Sequence, residues 1–188
     1  MEESTEFTEN VKYSISYYGV DFPIDSLVKR MEEDEFIIPD FQRKYVWDSK
    51  DASRFIESVL LRLPVPAIFL ARDKYSHKLI VIDGQQRLKT LLYFTKGEFP
   101  DGKKFKLKNV VPTYEGKTYD DLDLADQRDF NNAVIHALVL NETEESDAMF
   151  HVFERINTTG TPLTSQEIRY ALYQGSLNNL LSELSEHQ

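Results

Sequence analysis

The sequence predicts a globular protein in which short β-strands alternate with α-helices. Three observations carry this prediction: the chain has 188 residues, 41% of them are hydrophobic, and the apolar residues fall in short runs with strand-like or helical spacing. The apolar runs are too short to cross a membrane, and the N-terminus is acidic where a signal peptide would be basic and then apolar. The absence of cysteine excludes disulfides, thiolate catalysis and cysteine-based zinc sites. We therefore expect a cytoplasmic protein with no membrane partner.

The first half of the chain alternates between extended and helical patterns. Extended patterns occupy four places: 13–18, 36–38, 67–71 and 79–82. Asp25-Ser26 resembles the cap of a helix that runs through Met31, and a second helix is predicted to start at Asp48 and to stop before Pro64. Its apolar stripe consists of Phe55, Ile56, Val59, Leu60 and Leu63.

The second half continues the alternation. After a helix that starts at Gln86, we predict extended pieces at 105–111, a capped helix at 124–132 and a strand at 133–140. A helical stripe at 149–156, a loop and a capping box at 164–167 follow. The expected domain organisation is an acidic tail at 1–12, one domain at 13–175 and a helical extension at 176–188 that leads to an absent C-terminal domain.

The segment at 79–94, LIVIDGQQRLKTLLYF, joins an apolar strand to a helix through a polar turn. One interpretation is structural: Asp83 and Gln86 have the spacing of a capping box, and Gly84 suits a tight turn. The other is functional, because a strand-to-helix turn aims backbone N–H groups and the helix dipole at one point, which favours an anion. Arg87 could then hold phosphate in a bidentate way, and Gln85 could position a water molecule. Asp83 could hold a metal ion or accept a proton.

Two other segments combine amides and charges with apolar residues. In IPDFQRKYVW (38–47), Gln42 and Arg43 lie among aromatic residues, which is typical of a ligand-facing loop or of an ordinary core. In FERINTTGTPLTSQEI, Asn157 and Gly160 follow a predicted helix, where a helix C-cap is the alternative explanation.

A basic run stands out against the net charge of −10, which repels nucleic acid and anionic membranes from the chain as a whole. It consists of Lys103, Lys104, Lys106 and Lys108. These lysines fit either the exposed edge of a β-hairpin, where they would discourage aggregation, or a local surface for a polyanion.

Four stretches, IPDFQRKYVW, LPVPAIFL, VIDGQQRLKTLL and FERINTTGTPLTSQEIR, together resemble the bacterial DGQQR-motif family. That family is related to the N-terminal domain of ParB and to sulfiredoxin, and it includes the S portion of the GmrSD modification-dependent restriction systems and the SspE-type phage-defence proteins. The resemblance spans about residues 14 to 175, with the stretches in the family's order. It implies a compact α+β fold with a ParB/sulfiredoxin-like mixed sheet and surrounding helices.

The resemblance also implies a function. Such domains resemble an NTPase that hydrolyses GTP or another nucleoside triphosphate with Mg²⁺ or another divalent cation, and that controls action on modified phage DNA. By position, the catalytic candidates are Asp83, Gln85 and Arg87, with Asp83 also as the metal ligand. The nucleotide-binding candidates are Gln42, Arg43, Gly84, Gln86, Thr90, Asn157 and Gly160. The implied partners are a nucleoside triphosphate, DNA including modified DNA, a C-terminal nuclease domain or partner chain, and a second copy of the chain.

The sequence departs from the family pattern at Lys89, which replaces the first threonine of DGQQRLTTL and leaves Thr90. Sulfiredoxin chemistry needs a cysteine, so it is excluded here. His77, His136, His151 and His187 show no paired metal-ligand spacing and are expected to be structural or solvated. Two functions stay open: a metal-dependent NTPase, or a module that binds nucleotide or modified DNA without hydrolysis and switches an effector.

Overall fold

The computed structural model describes residues 16–38, 44–73 and 76–141. These residues form five strands and four helices: β1 (Tyr17–Pro23), α1 (Ile24–Glu32), β2 (Phe36–Ile37), α2 (Ser49–Leu60), β3 (Ile68–Arg72), β4 (Leu79–Asp83), α3 (Gln85–Lys96), α4 (Leu124–Asn132) and β5 (Val134–Leu140). The predicted α+β class with a mixed sheet is confirmed. The predicted helical C-terminal segment lies outside the described residues.

The five described strands form one mixed sheet in the order β1-β5-β3-β4-β2. β1 pairs antiparallel with β5 and β3 pairs antiparallel with β4, whereas β3–β5 and β2–β4 are parallel pairs. The β3–β4 register shifts between Phe69 and Leu70, so that Phe69 lies opposite Asp83 while Leu70 lies opposite Val81. Such irregularities redirect a strand, and this one lies at the end of β4 where the polar turn begins.

Helix α3 runs through the main core. Leu88, Leu91 and Phe94 on this helix are at most 1% exposed, and α3 packs against α1 and α2. The Phe94 ring contacts Phe105 and Phe130 edge-on, with ring centroids 5.2 and 5.4 Å apart. Because its buried face is fixed in this way, α3 holds its N-terminal turn in a defined position at the end of β4.

Several elements form where local sequence patterns predict them. The side chain of Asp48 caps α2 by accepting hydrogen bonds from Lys50 N and Asp51 N, both at 2.8 Å. Asp123 caps α4 by accepting a hydrogen bond from Asp126 N at 2.8 Å. Strands β3, β4 and β5 match the predicted segments to within one residue at each end, and α3 starts one residue before the predicted Gln86. In these elements capping and apolar spacing were sufficient signals.

The prediction for the first strand and helix was wrong in its boundaries. The strand starts at Tyr17 and continues to Pro23, and α1 starts at Ile24, so Asp25 and Ser26 lie inside the first turn instead of capping it. The strand is longer because it pairs with β5 up to Pro23 opposite Val134. The backbone N–H of Ile24 then donates to Ala133 O at 3.0 Å. A distant strand, which local spacing does not reveal, therefore sets this boundary. Residues 13–15 of the predicted strand lie outside the described residues.

The basic run does not form a regular strand of the sheet. Within the described part of the chain, residues 105–111 contain no strand, and the run makes one isolated bridge, between Lys104 and Glu98. Phe105 and Leu107 are fully buried, while the lysines beside them are exposed. The run is extended because its apolar residues are anchored in the core, and not because it belongs to a sheet.

None of the helices formed by the described residues combines the length and the apolar content needed to cross a membrane.

Candidate functional site

The polar turn between β4 and α3 depends on Gly84. This residue has a φ of 98°, a left-handed conformation in which side chains are disfavoured. A Cβ atom at this position would lie 2.4 Å from Cγ2 of Ile68, at the start of β3. Gly84 therefore serves two purposes: it makes the turn, and it lets the turn approach the neighbouring strand.

The N-terminus of α3 carries no side-chain cap from any described residue. The first intrahelical hydrogen bond runs from Leu88 N to Gly84 O at 2.9 Å. The N–H groups of the first turn and the positive end of the helix dipole therefore have no acceptor side chain among the described residues. The capping box predicted from Asp83 and Gln86 is not formed, because both side chains bond elsewhere.

Arg87 bonds the turn to the two residues that precede β3. Its Nη2 donates to a carboxylate oxygen of Asp83 at 2.5 Å, and Nη1 donates to Pro66 O at 2.5 Å and to Ala67 O at 3.0 Å. The Arg87 side chain is 12% exposed and that of Asp83 is 35% exposed. Burial lowers the pKa of Arg87, and the neighbouring Asp83 carboxylate opposes that shift. Arginine still stays protonated under ordinary conditions. Three of the five guanidinium N–H groups are used in these bonds, and the other two have no acceptor among the described residues.

Gln85 contains an unusual polar atom. Its Oε1 is buried and accepts no hydrogen bond from any described residue. A buried acceptor without a partner costs about 1–3 kcal/mol, so such atoms in native proteins call for an explanation. A water molecule or ligand hydroxyl that donates to Oε1 would satisfy it.

Gln86 holds the segment at 44–48 against α3. Its Nε2 donates to Lys44 O at 3.0 Å, while its Oε1 accepts from Val46 N at 3.1 Å and from Trp47 N at 3.4 Å. The side-chain amide thereby satisfies the backbone of an irregular segment about forty residues away. The role of Gln86 in this structure is to position that segment.

Thr90 supports the same segment from one helical turn further on. It is fully buried, and its hydroxyl donates to Gln86 O at 2.7 Å. Because the single hydroxyl proton is used there, we assign Tyr45 as the donor in the 2.8 Å Tyr45–Thr90 hydrogen bond. Burial raises the pKa of Tyr45 to about 12, so the phenol keeps its proton at neutral pH.

The structure gathers six of the candidate residues on one turn and the helix that follows: Asp83, Gly84, Gln85, Gln86, Arg87 and Thr90. Gln42, Arg43, Asn157 and Gly160 lie outside the described residues. Sequence reasoning missed the Pro66 and Ala67 carbonyls that hold Arg87, since backbone acceptors have no sequence signal. It also missed the anchoring of Tyr45, for which its place in an aromatic segment was the one available signal.

The acidic and histidine side chains of the described residues do not by themselves form a metal site. No group of three or more histidine, aspartate or glutamate side chains among the described residues could hold a metal ion. His136 pairs with Asp21 across β1 and β5 at 2.5 Å, at an exposed position on the sheet. A metal at Asp83 would therefore need further oxygen ligands from a bound phosphate, an arrangement that Mg²⁺ commonly adopts.

Comparison with known proteins gives three matches. The family model for the N-terminal domain of the GmrSD restriction endonuclease matches residues 24–174. An uncharacterized protein of Methanocaldococcus jannaschii is 28% identical over 131 residues, which cover 57% of this chain and 21% of that relative. The chain thus spans about a fifth of the length of the curated relative. The structure of a Pnob8-like ParB-N domain aligns over 94% of this chain and 51% of that chain, with 11% identity and a TM-score of 0.37, which is too low to support a statement about fold or function.

The match to the family model takes in α1, the DGQQR turn and β5, and it extends past the described residues into the asparagine- and glycine-containing segment. It confirms the resemblance to the GmrSD restriction systems at the level of their N-terminal domain. The chain belongs to the GmrSD restriction endonuclease N-terminal domain family.

Proposed function

We propose that this chain is the nucleoside-triphosphate-binding and -hydrolysing domain of a restriction-related protein that acts in phage defence, with the β4–Gly84–α3 turn as its phosphate site. The observation that carries the proposal is the N-terminus of α3, which is uncapped by described residues and lies beside the unsatisfied Oε1 of Gln85. An anion accepts hydrogen bonds from such a helix end, and the dipole favours its charge.

The residues of the turn suit different parts of this task. Gly84 lets phosphate oxygens approach the backbone, and the two remaining N–H groups of Arg87 can add a charged contact. The amide oxygen of Gln85 cannot bind phosphate, because both groups are acceptors, but it can orient a water molecule for attack. Gln86 and Thr90 act indirectly, by fixing the 44–48 segment.

The turn offers a divalent cation one carboxylate, that of Asp83. Asp83 is half-exposed at the turn and supplies one carboxylate, although Arg87 shares it. Mg²⁺ bound by Asp83 together with nucleotide phosphates would neutralise charge on those phosphates. Gln42, Arg43, Asn157 and Gly160 remain candidate nucleotide contacts from the family resemblance.

Gln85→Met tests the proposal because it separates function from stability. Methionine keeps the length of the side chain and removes the buried oxygen, so the free energy of unfolding should stay unchanged or rise by about 1 kcal/mol. Phosphate release from ATP, GTP, CTP and UTP, measured with and without Mg²⁺, should fall by about tenfold or more in the variant.

Gln127→Met is the matched control. The Gln127 amide donates to Tyr119 O at 3.1 Å and to Leu122 O at 3.3 Å, so the same substitution should lower stability there and leave phosphate release unchanged. Metal-dependent release that is equal in the wild type and in Gln85→Met would show that Gln85 has no part in the reaction.

A second function, nucleotide binding without hydrolysis, is favoured by one observation. Asp83 is already bound to Arg87 and is not part of any described carboxylate cluster that could hold a metal. In this alternative the occupied turn switches an effector domain or partner. Calorimetry distinguishes the two functions, since a switch would bind nucleotide with measurable heat and release no phosphate.

A further inference from the structure

A groove of about 700 Å³ lies between the 44–49 part of the chain and the segment at 99–108. Its lining includes Lys103, Lys104, Lys106 and Lys108. The rings of Tyr45, Trp47 and Phe99 line it as well. None of these lining residues belongs to the DGQQR turn, although Gln86 and Thr90 bond to the segment that carries Tyr45 and Trp47.

The core places the lysines along one side of the groove. Phe105 N donates to Gly97 O at 2.8 Å and Leu107 N donates to Lys117 O at 2.9 Å, which fixes the extended backbone. Because side chains alternate along an extended chain, burial of Phe105 and Leu107 turns the lysines between and beside them outward. Alternate residues of such a chain recur at roughly 6.6 Å, so Lys104, Lys106 and Lys108 form a row.

Three of the four lysines form no ion pair within the described part of the chain, although Asp48 and Asp101 also line the groove and the charges of Lys106 and Lys104 help to lower the pKa of Asp121. Lys103 pairs with Asp101 at 2.6 Å, and Asp48 uses its carboxylate to cap α2. Lys104, Lys106 and Lys108 form no ion pair with a described residue. In a protein with a net charge of −10, an unpaired row of cations is a local attraction for a polyanion.

The aromatic residues give the groove a defined apolar wall. Tyr45, Trp47 and Phe99 are all half-buried. The Tyr45 hydroxyl is held by Thr90, and its ring lies 6.3 Å from the Phe99 ring, centroid to centroid. Trp47 contacts Phe55 edge-on at 5.7 Å. Rings fixed in this way can receive a flat, unsaturated partner without losing much conformational freedom.

We propose that this groove binds a segment of single-stranded nucleic acid. Its phosphates contact Lys104, Lys106 and Lys108, and an unstacked base packs against the wall formed by Tyr45, Trp47 and Phe99. A positively charged groove with aromatic rings is how proteins hold single strands, because every base offers a flat face and every linkage a charge. A duplex keeps its bases stacked and away from such a wall. The proposal uses residues outside the DGQQR turn and does not depend on nucleotide hydrolysis.

The first test measures affinity. The full 188-residue chain is titrated into fluorescently labelled oligothymidylate of about 12 nucleotides, a length within the usual range for such sites. The Lys106→Gln/Lys108→Gln protein should bind at least about tenfold more weakly. The slope of the logarithm of its affinity against the logarithm of the salt concentration should also be smaller, by about 0.7 for each phosphate that is no longer neutralised.

The control Lys29→Gln/Lys78→Gln removes two exposed lysines outside the groove and should bind within about twofold of the wild type. All four lysines are exposed, and thermal unfolding verifies that each variant folds.

The second test reports on the base. Trp47 is the single tryptophan of the chain, so its fluorescence monitors the groove directly. Oligothymidylate should quench it, whereas heparin, a polyanion without bases, should bind without the same quenching. The proposal is overturned by equal affinities of the groove and control variants, by absence of binding, by equal or tighter binding of a blunt duplex of the same length, or by identical quenching with heparin. None of these results bears on phosphate release, so a failure here is distinct from a failure of the proposed hydrolysis.

Discussion

At the scale of single residues, the DGQQR turn is built from contacts to other segments of the chain. Gly84 lies close to Ile68. Arg87 donates hydrogen bonds to the carbonyls of Pro66 and Ala67, and Gln86 is hydrogen-bonded to the backbone of residues 44–47. The polar residues of the motif therefore fix the position of the turn, in addition to the ligand-binding role that we propose for it. We therefore expect some substitutions in the turn to change the free energy of unfolding and others to change the binding of a ligand.

Gly84→Ala should destabilise the fold by about 2–4 kcal/mol, which combines a left-handed backbone penalty of about 1–2 kcal/mol with the cost of overpacking. Gly116→Ala is the matched control, since Gly116 also has a positive φ, of 76°, but no described atom lies within 4 Å of a Cβ placed there. It should lose only the backbone penalty of about 1–2 kcal/mol. Urea denaturation measures both values, and equal losses would mean that Ile68 does not restrict position 84.

Tyr45 should make stability depend on alkaline pH. Burial raises the pKa of this phenol from 10.0 in the unfolded chain to about 12 in the folded one, so its contribution is complete below pH 10 and is lost as the pH rises toward 12. Tyr45→Phe removes that titration together with the hydrogen bond to Thr90, which contributes about 1 kcal/mol at neutral pH.

The measurement for Tyr45 is the free energy of unfolding of both proteins across this alkaline range. The gap between wild type and Tyr45→Phe should narrow above pH 10. Tyr17→Phe is the control, because Tyr17 is 65% exposed, and it should follow the wild type. A constant gap between wild type and Tyr45→Phe would contradict the assignment.

At the scale of elements, two aspartates with similar sequence contexts have different roles. Asp48 caps α2 with two hydrogen bonds, whereas Asp25 lies within the first turn of α1, and the N-cap position of that helix is occupied by Pro23, whose side chain has no polar atom to form a cap. Local sequence suggested a cap at both positions. The difference arises because pairing of β1 with β5 moves the start of α1 to Ile24.

Asp48→Ala should therefore lower the urea midpoint clearly more than Asp25→Ala does. The backbone N–H groups of Asp51 and Lys50 lower the pKa of Asp48 from its ordinary 3.8, so the stabilisation is present above pH 3.8 and is lost as the pH falls through the lower folded value. The difference between wild type and Asp48→Ala should disappear in strong acid. Midpoints that shift equally for the two substitutions would show that the cap contributes nothing.

At the scale of the whole molecule, the order β1-β5-β3-β4-β2 determines which strands are protected. β3 and β5 each have a neighbouring strand on both sides, while β1 is an outer strand of the described sheet and β2 contributes two residues. The DGQQR turn is attached to β4, one position in from the short outer strand β2. The turn is therefore held between β4, which has a neighbouring strand on each side, and α3, which packs into the core.

Hydrogen exchange should follow this order. Amides of β3 and β5 should open only with global unfolding, at free energies of about 5–15 kcal/mol, because both edges of each strand are bonded. In β1 every second amide should exchange faster, since one edge of that strand has no described neighbour. Exchange measured residue by residue by NMR checks this pattern, and uniform protection across β1, β3 and β5 would contradict the strand order.

The sequence by itself determined the elements whose signals are local. Apolar spacing and an aspartate cap predicted α2 and α4, the short apolar runs predicted β3 and β4, and the four stretches in family order identified the family. The DGQQR turn was also found in this way, because a β-branched run, a glycine and a helical pattern adjoin one another. Each of these signals acts within a few residues, where backbone geometry couples neighbours directly.

The tertiary structure alone decided what those residues contact. The bonds of Arg87 to Pro66 and Ala67, of Gln86 to residues 44–47 and of Tyr45 to Thr90 join segments 20 to 45 residues apart. The β1–β5 pairing that sets the start of α1 also joins distant segments. So do the core contacts that place the lysine run along one side of the groove. Such contacts depend on how distant segments pack, and nothing in the spacing of residues along the chain records which of them will meet.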